Sequence, residues 1–299
     1  MPTLASIVRA FGVEPDAIRL ISRRQNAHWA IRAGSERHVL RRFGVWAQTE
    51  GDADWELDAV ARLAAAGAAV PRAIGGVRVI SGARYLMMPW IGGRRLADPP
   101  VSDADYEHLG EFLADFHART DPAPAPPQRP GWTSCVDGAF PAEGGAARRG
   151  ELLAELAKVD AGMAARFGEA AAALQARDLP AIFAGHPRRI VHGDFSPWNI
   201  RVRGGQLAGV IDFDLAHLDV RAADVAWARR GYHDGVVRGY QRRMALTDAE
   251  LANLDALWTG GSLRGVWRVL EGRLAEGRLT THGFDWNLDQ LGKTRPYRG

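Results

Sequence analysis

Ile190-Val191-His192-Gly193-Asp194-Phe195-Ser196-Pro197-Trp198-Asn199-Ile200 is the stretch on which the reading of this 299-residue chain turns. A short apolar run of β type leads into His-Gly and an acid. A proline-containing loop follows, ends on an amide and returns to an apolar residue. Val210-Ile211-Asp212-Phe213-Asp214 repeats the device, with an acid directly after an apolar β segment. An acid so placed can emerge from a buried strand into a cleft. Asp194, Asn199 and Asp212 are thus three oxygen-bearing side chains on two neighbouring strand-loop units.

Such a set suits a hard cation. Magnesium takes carboxylate and amide oxygens and keeps phosphate oxygens in its shell. Phosphoryl transfer needs that ion and a carboxylate to orient and deprotonate an acceptor hydroxyl. Asp194 suits the base, while Asn199 and Asp212 suit the metal.

Outward from this centre the chain divides in character. Ile18–Arg23, Trp29–Arg32 and His38–Phe43 read as strands, the last two joined by a turn at Ala33-Gly34-Ser35-Glu36. Glu50 to Ala66 turns helical, with Trp55, Val60 and Leu63 at helical spacing and Gly67 as the stop. Val77–Ile80 and Arg84–Met88 form a further strand pair around Ser81-Gly82. The order β-β-β-α-β-β fits an antiparallel sheet carrying one helix. Pro89 to Pro100 is a connector. Beyond it helices dominate: Asp105 to Arg119, then an Ala- and Leu-rich helix from Glu151 to Leu179, then the tail from Asp224. Between the first two, residues 121–150 form a Pro/Gly-rich excursion of the length expected for a functional loop. Arg189–Val191 and Leu207–Phe213 are strands flanking a turn at Gly204-Gly205.

Composition bounds the class. Apolar residues make up 46% and charged residues 24% of the chain, a globular profile. No apolar run reaches the ~20 residues that cross a bilayer, so no membrane span is expected. The start lacks the pattern of a secretory signal. Cys135 is the only cysteine, which excludes internal disulfides and a cysteine metal cluster. The net charge is +3, and the basic residues are almost all arginine, scattered among acids. No basic block argues for nucleic acid. A cytoplasmic location with access to ATP fits these features.

His192-Gly193-Asp194, Asn199 and Ile211-Asp212 resemble, at matching spacing, the motifs of the aminoglycoside phosphotransferase and choline kinase superfamily. That group is the small-molecule branch of the protein-kinase-like fold. The resemblance implies an α+β, two-lobed fold, with residues 1–90 as an antiparallel-sheet nucleotide lobe and 91–299 as a mainly helical catalytic and acceptor lobe. It implies ATP and Mg2+. Arg84 to Gly93 resembles the strand and hinge between the lobes, where backbone groups from Met88 through Trp90 to Ile91 would meet adenine. Leu109 to His117 resembles a family helix ending in a Leu/Phe-His pair. Asp224 would pin the catalytic loop, and His192 would order it. Glu56 would pair with a cation on the third strand.

This sequence departs from the pattern in three places. The phosphate-binding lysine of many relatives is absent from the first lobe, so Arg41 must serve; arginine is always charged and can fork onto phosphate oxygens. The loop Arg24-Gln25-Asn26-Ala27-His28 has no glycine, leaving Asn26, His28 or backbone amides to meet phosphates. Phe213 is followed by Asp214, which could be a further metal carboxylate or a helix cap. His217 and His233 read as packing or surface residues, and Trp227, Trp258 and Trp267 as core.

The acceptor implied is a small molecule with a hydroxyl. An aminoglycoside or similar antibiotic ranks first and a metabolite of homoserine, choline or methylthioribose type second. Asp137, Glu143, Glu271, Asp285 and Asp289 are the candidate carboxylates for ammonium groups. Arg264, Arg268 and Arg273 among them would repel a polycation or bind a carboxylated acceptor. A nucleotide-binding pseudokinase is the reading from another class; the intact Asp194, Asn199 and Asp212 oppose it.

Overall fold

The computed structural model of the chain describes residues 2–23, 26–44, 51–98, 101–121 and 125–298. Arg24 and Gln25 of the glycine-free loop, Glu50 at the expected helix start, Pro99 and Pro100 of the connector, and Pro122 to Pro124 of the excursion lie outside them.

The chain opens with helix α1 (Leu4–Arg9), capped by the Thr3 side chain. Strands β1 (Ala17–Arg23), β2 (Ala27–Ala33) and β3 (Glu36–Arg42), helix α2 (Asp52–Ala65), and strands β4 (Ile74–Ile80) and β5 (Ala83–Pro89) follow in the anticipated order. The sheet is antiparallel with order β1-β2-β3-β5-β4. Alternation along the strands makes two apolar faces. Trp29, Ile31, Leu40, Tyr85 and Met87 pack against Ile7, Val8 and Phe11 of α1 and the turn after it. Leu86, on the other face, packs with Phe43 and Ala53, and so seats α2.

The remaining lobe begins with β6 (Arg94–Arg95) and helix α3 (Asp103–Thr120), started by a capping box between Ser102 and Asp105. Helices α4 (Gly145–Ala157), α5 (Ala161–Ala176) and α6 (Leu179–Ile182) replace the single helix expected over 151–179. Asp160 explains the first break: its carboxylate accepts from the Met163 amide at 2.8 Å, and Asp is a better N-cap than helix-interior residue. Asp178, at φ 50°, caps α6 ahead of Pro180. Strands β7 (Arg189–Val191), β8 (Ile200–Arg203), β9 (Gln206–Val210) and β10 (His217–Asp219) form two small sheets, β10-β7 and β6-β8-β9. Strand β9 stops at Val210 instead of reaching Phe213, because Asp212 takes a left-handed backbone, φ 73°. Helices α7 (Arg221–Arg229), α8 (Asp234–Gln241), α9 (Asp248–Ala252), α10 (Leu254–Ala275) and α11 (Phe284–Lys293) complete the chain. Trp227, Trp258 and Trp267 are core residues as expected. His217 is fully buried beside Cys135, Asp219 and Arg264, a packing role. No helix among the described residues is long and apolar enough to cross a membrane.

Helices α3 and α8 touch through glycines. A Cβ at Gly110 would collide with the Val236 carbonyl, and one at Gly239 with the Glu107 carbonyl. The backbones are therefore in contact and cannot yield as a flexible side chain would. Gly239→Ala is expected to cost about 1–3 kcal/mol through this overpacking. Urea unfolding checks it; unchanged stability would mean that the helices separate without penalty.

Candidate active site

The loop between β7 and β8 carries Asp194 and Asn199, and Asp224 holds it in shape. The Asp224 carboxylate is fully buried and accepts from the amides of His192 and Gly193, each at 2.7 Å. Its Oδ2 also lies 3.3 Å from His117 Nε2, and His117 Nδ1 lies 2.9 Å from the Tyr240 hydroxyl. Burial pushes the Asp224 carboxyl up, but the bond and charge of His117 and the loop amides outweigh it and hold it below its ordinary value. Gly193 is required at φ 75°, where a Cβ would strike the Leu215 carbonyl.

His192 is fully buried and fixed by two bonds. Its Nδ1 accepts from the Asp194 amide at 3.1 Å, so Nε2 carries the proton donated to the Ile211 carbonyl at 3.0 Å. The ring thereby ties the Asp194 loop to the Asp212 segment and is spent as scaffold.

Asp194 has both oxygens engaged. Asn199 Nδ2 reaches Oδ2 at 3.0 Å and Arg230 Nη2 reaches Oδ1 at 2.9 Å. Burial raises the Asp194 carboxyl above its ordinary value, against the charge of Arg230. Asn199 also donates Nδ2 to the Asp194 carbonyl at 3.0 Å. Its amide orientation is thus set by nitrogen, leaving Oδ1 as the spare donor atom.

A cleft of about 450 Å³ lies between the two lobes, lined by Arg41, Glu56, Met88, Trp90, Asn199 and Asp212 among others. The expected residues are therefore brought together, with Asp194 one hydrogen bond behind Asn199. Arg41 is 2% exposed, so it is no solvated strand residue. Its guanidinium forks onto Glu56 of α2 at 2.6 and 3.1 Å and meets Asp214 Oδ1 at 2.7 Å. The Trp90 amide donates to the Arg37 carbonyl at 2.9 Å, so that hinge donor is already used. His28 lines the cleft with its ring held below its ordinary value by burial.

No helix starts at Asp214, which sets aside its capping role. It sits instead among like charges: burial, opposed by Arg41 but assisted by Asp212 and Glu56, pushes its carboxyl up to about 8. Asp212 is also raised, first by burial. One guanidinium thus faces three carboxylates, an excess of negative charge that a divalent cation would relieve. Asn199 and the carboxylates of Asp212 and Asp214 are the kind of oxygen groups such an ion takes.

Two arginines of the site were not legible in advance, and Asn26, offered in sequence for phosphates, has its side chain spent otherwise. Asn26 spans the lobes, donating to Asp214 and accepting from the Gly44 amide at 2.9 Å. Arg129, in the Pro/Gly-rich excursion, is buried between Trp55 and Trp132; it pairs with Asp52 at the start of α2 and donates to the carbonyls of Asp214 (3.0 Å) and Ala216. The excursion therefore braces α2 against the segment that follows Asp212. Arg230, beside Asp194, is the second. In so arginine-rich a chain nothing in sequence separated Arg129 or Arg230 from surface residues, although Gly231 after Arg230 is a helix-stop signal.

Residues 17–275 match the phosphotransferase enzyme family, APH, and the chain belongs to that family. An uncharacterized protein of Deinococcus radiodurans is 29% identical over 326 aligned positions, covering 96% of this chain and 88% of that one. A homoserine kinase of Zymomonas mobilis is 34% identical over 112 residues, only 33% of this chain and 31% of the relative. Among solved structures, a thermostable mutant of aminoglycoside phosphotransferase APH(4)-Ia, in ternary complex with ADP and hygromycin B, superposes with a TM-score of 0.68 at 16% identity, covering 97% of both chains. The fold is the two-lobed, protein-kinase-like one that the motifs implied.

Asp224→Ala removes a buried acceptor and leaves two amides and His117 without it. The expected loss is about 3–5 kcal/mol of unfolding free energy, with loss of hydrogen-exchange protection at the His192 and Gly193 amides. Wild-type protection in the variant would show that another group shapes the loop.

Proposed function

We propose that this protein transfers the γ-phosphoryl group of ATP to a hydroxyl of a small molecule. The carrying observation is one interlobe cleft lined by Asn199, Asp212 and the Arg41–Glu56 pair, with Asp194 hydrogen-bonded to Asn199 just behind it. In this reading residues 1–90 and 91–299 are the two functional lobes, with nucleotide between them. The base stacks near Met88 and Trp90, and Arg41, held straight by Glu56, reaches the phosphates. Asn199 and Asp212, with Asp214 beside them, would hold Mg2+, which when bound neutralises phosphate charge. Asp194 accepts the acceptor's proton; the freed oxygen pair attacks the γ-phosphorus, and ADP leaves with the electrons of the broken bond. A cytoplasmic setting supplies the nucleotide.

A base and both metal donors, all in place, support catalysis over a pseudokinase role. For the acceptor, an aminoglycoside or similar antibiotic is supported by the hygromycin-bound neighbour. The five acids offered for ammonium groups give it little help: none lines the cleft, Glu271 lies 3.7 Å from Arg148, and Asp289 pairs with Lys293 at 2.6 Å. A metabolite acceptor of homoserine type is the second reading, favoured by the cation on Asp194.

Magnesium-dependent ADP release is expected with one compound among aminoglycosides, homoserine, choline and methylthioribose. Asp194→Asn should bind nucleotide normally and lose roughly 10²–10⁴-fold in turnover; unchanged turnover would sink the base assignment. Because Asp194 must be ionised to act and its carboxyl is raised, activity is expected to fall with acidity through a midpoint above the ordinary Asp value of about 3.9. A kcat–pH profile flat down to that value would contradict it.

A further inference from the structure

We propose that Arg230 forms an acceptor subsite for a carboxylate, so that the enzyme selects a hydroxy acid over a polycation. The inference rests on the phosphotransferase reading of Asp194 and gives its acceptor a charge.

Arg230 is held in place from several sides. It ends α7 in a left-handed conformation, φ 49°, which only surrounding structure can impose on a residue with a side chain. Its amide bonds the Trp227 carbonyl at 3.1 Å. The segment after α11 grips the adjoining residues: the Arg295 amide donates to the Gly231 carbonyl at 3.2 Å, Arg229 donates to the Arg295 carbonyl at 2.8 Å, and the Arg295 side chain donates to the Tyr232 carbonyl at 2.9 Å.

The side chain is only 20% exposed, yet a single carboxylate oxygen takes one of its nitrogens. Its Nε is buried and has no partner among the described residues. Nε is out of a ligand's reach, but Nη1 makes no hydrogen bond among those described and Nη2 makes one, so the Nη1–Nη2 edge is a fork for a planar carboxylate. Trp198, 49% exposed on the Asp194 loop, lies 5.4 Å from the guanidinium carbon and offers an apolar wall on the same side.

The surrounding acids do not suit a polycation. Glu107 is taken by Arg238 and Arg242, Glu111 by Arg242, and Asp234 by Arg229 and Arg295. Asp103, exposed in the first turn of α3, is the acid nearby with no ion pair among those described. An ammonium group brought to Asp194 would meet Arg230 first. A hydroxyl on Asp194 and a carboxylate on the free edge of Arg230 would be separated by on the order of 5 Å, from two hydrogen bonds and the width of the guanidinium. That span suits a short hydroxy acid. The only proton moved is that of the hydroxyl, to Asp194.

The probes are L-homoserine and 4-hydroxybutyrate, each with its carboxamide, and hygromycin B as the polycation. Calorimetric binding to the full chain loaded with Mg-ADP reads the charge preference without any turnover. At least one acid is expected to bind roughly 10–100-fold tighter than its amide, the worth of a charged hydrogen-bonded contact. Arg230→Lys should keep part of that preference and Arg230→Ala should abolish it, with ADP affinity unchanged and a melting temperature confirming the fold. Turnover with Mg-ATP should show the same order as a rise in acceptor KM. Equal binding of acid and amide, tighter binding of hygromycin B, no acid bound at all, or a preference that survives Arg230→Ala overturns the subsite. Absence of magnesium-dependent ADP release with every acceptor would instead sink the phosphotransferase reading, while the binding comparison still decides the role of Arg230.

Discussion

One buried carboxylate organises the larger lobe. Asp224 is surrounded by apolar core, and a charge there is tolerable only because both oxygens find donors. Those donors are two successive loop amides and a histidine from α3, so desolvation itself forces three separate stretches of chain to converge. The His192–Gly193 turn, the direction in which Asp194 leaves it and the seat of α7 follow from that single satisfied charge. The His192 ring then passes the order on to the Asp212 segment.

Between the lobes the governing quantity is charge balance. Glu56 and Asp214 share Arg41, and Asp52 shares Arg129 and Arg268. Arg41 and Arg129 are buried and Arg268 partly so, and the pairs to Asp214 and Asp52 link the lobes, so moving one lobe against the other exposes unpaired charge. Such pairs add little net stability compared with apolar packing, but they fix geometry. Here the geometry they fix is the position of α2 and of the oxygens that face the cleft.

The Asp194 loop and the order of the first sheet were legible because both rest on local rules: an acid after an apolar strand, and period-two patterning closed by turns. The helix from 151 to 179 was misread because alanine and leucine favour helix throughout, and only Asp160 signals the break, through a capping preference that composition hides. Strand β9 ran long on paper because nothing in Ile211-Asp212-Phe213 announces that Asp212 turns left-handed. Asp214 could not be assigned, since its environment is made by β3, α2 and Asn26, far away in the chain. Arg129 and Arg230 stayed invisible for the same reason: their partners are 77 and 36 residues distant.

Arginine at position 41 of β3, where many relatives carry lysine, differs from it in reactivity as well as in shape. A buried guanidinium flanked by Glu56 and Asp214 keeps its proton at any pH a cell reaches and is no nucleophile. Lys158 and Lys293, the chain's only amines besides the N-terminus, lie on α4's end and α11, away from the cleft. Acyl-phosphate nucleotide probes, which report on kinases by acylating the lysine that meets ATP, would therefore find no target in this site. A census of kinases taken with such reagents would count this protein as silent, whatever its activity.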